Sequence, residues 1–455
     1  MLRVLFQAIL LVGFLPLSLW AQGGAPSMPG GGPTPFGSGA ESQLNYAGQS
    51  ATPNLLLLGT DTSIGYSDNV RGSTIPVGDS YITVGPHFLF DEQRRDFTLQ
   101  LAYSPYFQVF QHLSQYNTVS EVFAADGLFR FGTGFSLHLR DSLSYLTGTF
   151  QPPSEPTGIP GLGAPTSLNQ TIVTPIVPEV TNNTRVDAIF HRSTRTSLTF
   201  FGSYNRLDFL GRSGTGSQYF NTRDVNAGIE YSYRVTNHQT AGLQYVYDNM
   251  DFGGSSILLT NSRAVIHSAF LSWTWQMTPS VNLTLFGGPQ YILPAASPER
   301  PGRVGGLGLV TVNPVSAPQW QGAAGATLTK QVRKTAFSFS AMRAATDGGG
   351  LLTSVTSLSA DAGVRRHLMR RWDVSADVMA SRADELGSQF AGGRIDSQTA
   401  SFGVSHGLSE RLTASLSYSA SRAQSHGAVP FTGNFNVNRV TLSFALNAKG
   451  VSLGR

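Results

Sequence analysis

Gly403-Val404-Ser405-His406-Gly407 fits the G-x-S-x-G pattern of serine nucleophiles. That chemistry needs a sharp strand-to-helix turn that lifts the serine toward backbone donors. Here the residues lie inside an alternating stretch and no helical pattern follows, so Ser405 reads as a small polar strand residue. A hydrolase would also need a histidine held against the serine by a third group. The nine histidines are scattered, none at metal-ligand spacing, and His138 and His191 have no partner that can be named. With no cysteine, thiolate catalysis, disulfides and a lipoprotein anchor are excluded. The expectation is a protein with no catalytic residue, metal or cofactor.

Charge is sparse but ordered. Charged residues make up 13%, against roughly 25% in average globular proteins. The formal charge of +4 is too small at this length to argue nucleic-acid binding. Lysine occurs only at Lys330, Lys334 and Lys449, so nearly all positive charge is arginine, which pairs with carboxylates through a planar fork. Arg185, Asp187, His191, Glu230, Arg234, Asp361, Arg365, Asp373 and Asp377 alternate with apolar neighbours. A period of two puts them on one face of strands and the apolar residues on the other.

The elements that carry them recur as strand, tight turn, strand, longer loop. In Ser401 to Ser421, Leu412, Ala414, Leu416, Tyr418 and Ala420 point one way, and Thr413, Ser415, Ser417 and Ser419 the other. Alternation and turn chemistry predict strands at Leu55–Tyr66, Ser80–Asp91, Asp96–Phe110, Thr118–Phe131, Gly134–Thr147, Arg185–Arg192, Ser197–Phe209, Asp224–Arg234 and Thr240–Asp251. The second half adds Arg263–Met277, Val281–Leu293, Trp320–Val332, Thr335–Ala345, Thr356–Leu368, Trp372–Ala383, Ser397–Leu408, Arg411–Arg422 and Asn438–Asn447. Loss of one weak N-terminal hairpin would leave sixteen. Connections alternate short and long, as in outer-membrane barrels with short periplasmic turns and long external loops. The fold class is therefore all-β, a transmembrane antiparallel up-and-down barrel of about 18 strands. Val225, Ala227, Ile229, Tyr231 and Tyr233 would face lipid, as would Leu243, Tyr245, Leu271, Trp273 and Trp275. One strand conflicts: Asp141 shares a face with Leu137, Leu139, Leu143 and Tyr145, which calls for a bulge or a position outside the lipid.

Residues 1–21 read as a secretory signal with Arg3 before an apolar run, and 22–54 as a Gly/Pro-rich periplasmic segment. Residues 55–447 form the barrel and 448–455 a periplasmic tail. The long interruption from Phe150 to Thr181 carries Glu155 and Glu179 as its charges.

The repeats from about Asp224 onward, with the final strand, resemble the β-barrel porins encoded with bacterial exopolysaccharide and protein-sorting systems. Arg439, Phe444 and Leu446 also resemble the C-terminal signal read by the barrel assembly machinery, with Thr441 in place of its glycine and residues 447 to 455 continuing beyond it. The resemblance implies an outer-membrane location, lipid, periplasmic chaperones and the assembly machinery as partners, and a homo-oligomer. General porins fold their third external loop inward, which implies a constriction carrying Glu155 and Glu179. Function then divides between a passive aqueous pore for small solutes and an accessory barrel for exopolysaccharide export, with polysaccharide-export components as partners and no open pore. An outer-membrane hydrolase is the remaining alternative.

Overall fold

The computed structural model describes residues 55–146, 177–210, 219–253, 262–296, 317–369, 371–386, 393–427, 434–448 and 451–452. Its strands are β1 Leu55–Ser67, β2 Asp79–Gln93, β3 Phe97–Phe110, β4 Thr118–Phe131, β5 Phe135–Leu146 and β6 Glu179–His191. Next come β7 Thr196–Phe209, β8 Asn221–Thr236, β9 Gln239–Gly253, β10 Ser262–Thr278, β11 Val281–Ala296 and β12 Gln319–Val332. The series ends with β13 Thr335–Gly348, β14 Leu352–Met369, β15 Trp372–Glu385, β16 Arg394–Gly407, β17 Leu412–His426, β18 Phe435–Asn447 and the two-residue β19 Val451–Ser452.

Each strand pairs antiparallel with the next, and β1 pairs with β18 from Gly59↔Asn447 to Ser67↔Arg439. The sheet therefore closes on itself with eighteen wall strands. β19 adds two residues beside Leu55 and Leu56. One end of the barrel carries tight connections such as 237–238 and 279–280, and the other carries long ones such as 68–78. The exception is the link between β13 and β14, only residues 349–351, at the long-loop end.

Burial is inverted relative to a soluble protein. Leu271 is 68% exposed and Leu243 55%, and Tyr231, Tyr245, Trp273 and Trp275 are exposed beside them. On the inner face of the same strands, Asn226, Glu230, Gln244 and Ser268 are buried. An apolar exterior and a polar interior are what a bilayer outside and water inside demand. Aromatic rings gather near the short-turn end, where Phe131, Phe135, Phe190 and Phe200 form a ladder across four strands with centroids 5.4, 4.8 and 5.9 Å apart. Amphipathic membrane interfaces favour such girdles.

Of the two accounts of Asp141, a bulge or a position outside the lipid, the bulge is excluded. The registers of β5 with β4 and β6 run unbroken through Ala125↔Asp141 and Asp141↔Thr184, so no bulge turns it away. It shares the outer face with Leu139 and Leu143, and is held by Thr184 Oγ1 at 2.6 Å and Asn182 Nδ2 at 3.1 Å. Two donated hydrogen bonds offset part of its desolvation.

Candidate functional site

All nine charged residues predicted for the inner face lie there by register. Arg185 and Asp187 share the inward set of β6 with His191, and β8 contributes Glu230 and Arg234. Asp361 and Arg365 on β14 stand in the same set as Asp373 and Asp377 on β15. The Arg140 guanidinium of β5 donates to Asp187 Oδ2, and Arg185 Nε donates to Asp187 Oδ1 at 2.9 Å. Arg185 also lies 5.0 Å over the Phe201 ring. Arg140 was not among the predicted residues, although its parity with outward Leu139 would have placed it. Glu179 begins β6 and pairs with Leu146 and Phe209, so it belongs to the wall and not to a loop. Glu155 and most of the 150–181 loop lie outside the described residues.

The G-x-S-x-G residues lie within β16, where Ser405 pairs with Asp373 and Ser415 across the inner face. His406 points the opposite way and stacks on Trp372, centroids 4.2 Å apart. On β18, Arg439 is buried on the inner face while Phe444 and Leu446 are exposed outside.

The feature that sequence reading missed is the tip of the β13–β14 hairpin. β13 pairs with β12 only from Val332↔Thr335 to Ala324↔Arg343. Beyond Arg343 it leaves the wall, still paired to β14 through Ala344↔Ser357, Ala345↔Thr356, Thr346↔Val355 and Asp347↔Ser354. Every residue from Ala344 to Val355 is buried. Burial on both faces shows that the hairpin has swung inward from β12, while β14 keeps its ladder to β15 as far as Val355↔Glu385.

Its neighbours say where. Leu351, Leu352 and Val355 cluster with Leu207 and Phe209 of β7, Phe220, and Ile395 of β16. β7 and β16 are nine strands apart in the eighteen-strand ring, so the tip reaches across the lumen. Gly349 and Gly350 turn the chain there at φ of 60° and 77°, a region closed to most side chains. Phe220 N–H donates to the Gly350 carbonyl at 2.8 Å. On the hairpin's flank, Ala345 joins Phe252, Ile266 and Ile292. Gln290 of β11, 0% exposed, is the polar anchor. Its Oε1 accepts from Ala345 N–H at 2.9 Å and from Gln321 Nε2 at 3.2 Å, and its Nε2 donates to Ser268 Oγ at 3.1 Å.

The balance is close. Full burial of an aliphatic side chain contributes roughly 1.5–3 kcal/mol, and Leu351, Leu352 and Val355 supply three. Against this, β13 forgoes a stretch of ladder along β12, at roughly 0.5–1.5 kcal/mol net per hydrogen bond. Thr327, Thr329 and Gln331 point inward yet remain exposed, as expected of a wall facing water.

The closed sheet, lipid-facing belt and polar interior define a transmembrane β-barrel of the outer-membrane type. No family model and no curated protein matches the chain. Among solved structures, OpdQ of Pseudomonas aeruginosa aligns at 10% identity and a TM-score of 0.41, over 87% of this chain and 98% of that one. OpdK of the same organism aligns at 12% identity and 0.40, covering 87% and 100%. The FrpB iron transporter of Neisseria meningitidis aligns at 8% identity and 0.42, covering 90% and 83%.

Proposed function

We propose that the protein is a passive, water-filled pore for small solutes in a bacterial outer membrane, narrowed by its own β13–β14 hairpin. The observation that carries this reading is the polar inner wall of an eighteen-strand closed sheet, since a barrel of this width leaves an aqueous channel around any partial plug. Solutes would be selected by width at the hairpin and by the field of the lumen charges. Arg140, Arg185, Asp187 and Glu230 line one wall, and Asp361, Arg365, Asp373 and Asp377 another. The long-loop end faces the exterior and the tight turns the periplasm, by the usual asymmetry of such barrels. No step in this function requires a catalyst.

A constriction by the loop before β6, carrying Glu155 but not the wall residue Glu179, is also proposed, with the hairpin as a second narrowing. Lipid, periplasmic chaperones and the barrel assembly machinery, reading Arg439, Phe444 and Leu446, are its proposed partners. A homo-oligomer is also proposed.

One observation favours a second reading, an accessory barrel for polysaccharide export: the hairpin reaches across the lumen. Solute flux separates the two. Liposomes holding the refolded protein should swell in small uncharged sugars at a rate that falls with sugar size. Tight liposomes around a folded, heat-modifiable barrel would end the pore reading.

A further inference from the structure

The wall beside the hairpin is incomplete. β12 runs on from Ala324 back to Gln319, but no β13 residue pairs with Gln319–Ala323. Trp320 at this edge is 70% exposed, and a side chain added at Gly322 would meet nothing within 4 Å. An unpaired strand edge is a template for another strand. The five residues that part from β12, Ala344 to Gly348, match the five that no described strand other than β11 pairs.

Their pattern also fits. Continuing the register of Ala324↔Arg343 sets Ala344 opposite Ala323, Ala345 opposite Gly322, Thr346 opposite Gln321, Asp347 opposite Trp320 and Gly348 opposite Gln319. Since Arg343 and Ala324 face outward, Thr346 and Gln321 would face the lumen, polar side inward. Ala345 and Gly322 would face out, too small to clash. Asp347 would reach the exposed rim. In the lumen, by contrast, Asp347 lies in electrostatic contact with Asp248, which also meets Asp224.

We propose that the β13–β14 tip is a gate with two docking positions. In one, seen here, it crosses the lumen, anchored by Gln290 and the cluster around Leu351 and Leu352. In the other it zips onto the free edge of β12, completes the wall and clears the channel. Both positions bury or pair what the other leaves open, so neither strands the hairpin. This rests on the pore reading.

The chain has no cysteine, so a pair can be introduced cleanly. In Trp320→Cys/Asp347→Cys, one side chain is exposed on the outer face while the other lies in the lumen, so oxidation should join the two sulfurs only when the hairpin lies in the wall. The oxidised barrel should conduct several-fold more than the reduced one in a planar bilayer, and a reductant should restore the smaller value. A second variant replaces residues 346–355 by Asn-Gly, a two-residue turn that shortens the hairpin. If the shortened barrel conducts while the cysteine pair either fails to cross-link or cross-links without changing conductance, the gate is wrong and the pore stands. If the shortened barrel is folded and does not conduct, the pore reading itself has failed.

Discussion

The Phe220 amide donates to the carbonyl of Gly350 at 2.8 Å, joining the entry to β8 with the tip of a hairpin five strands farther round the barrel. Neighbouring wall strands cannot make such a contact; it exists because the β13–β14 tip has left the wall. The crossing of the lumen therefore rests on a few identifiable contacts, which can be removed singly.

Gln290→Leu keeps the bulk of the anchor and removes the acceptor for Ala345 N–H and Gln321 Nε2. Leaving a buried donor unpaired costs about 1–3 kcal/mol. The hairpin should spend less time in the lumen, so mean single-channel conductance should rise while the barrel stays heat-modifiable. An unchanged conductance would remove Gln290 from this role.

Gly350→Ala tests the tip. At φ 77° an added Cβ is strained, and it would fall 2.2 Å from the Phe209 ring. Loss of tip packing should increase flux of sugars that the native protein excludes, read by liposome swelling.

Asp187→Asn addresses the field. It leaves Arg140 and Arg185 facing the lumen without their shared carboxylate. Reversal potentials in a salt gradient should shift toward anions, and stability should fall by about 3 kcal/mol because one partner of a buried pair is gone. A shift toward cations would contradict the placement of this cluster in the ion path.

At the long-loop end, Asp79 is the first residue of the 15-residue β2, in the part that overhangs the roughly 9–11 residues a strand needs to cross the membrane. It accepts hydrogen bonds from the backbone N–H groups of His112 at 2.9 Å and Leu113 at 2.8 Å. Burial alone would raise its pKa, but the His112 ring and the backbone donors outweigh that and hold it at about 2. A depressed value means the stabilisation is present above the unfolded value near 4 and is lost as pH falls toward 2. The rim segment 111–117 should therefore gain protease sensitivity below about pH 3. Asp79→Asn should show that sensitivity at neutral pH, and an acid-insensitive rim would refute the link.

Much of the wall was legible because lipid outside and water inside impose a period of two on nearly every strand. β4 is found at Thr118–Phe131 as its alternation predicts. β6 starts at Glu179, six residues before the predicted Arg185. Its segment Glu-Val-Thr-Asn-Asn-Thr is polar on both faces, so no period shows. The hairpin was hidden for the opposite reason: Ala344 to Val355 is buried on both faces and runs through three glycines, which reads as a loop. The predicted strands stop at Ala345 and resume at Thr356, so these ten residues read as one more long loop, and the three-residue link appears only in the structure.

Single-channel conductance of the native protein against the 346–355 → Asn-Gly variant tests the central claim most directly. A small steady conductance in the native barrel and a several-fold larger one in the shortened barrel are expected. Equal conductances would show that the hairpin does not narrow the path, and silence from both folded barrels would show that there is no path to narrow.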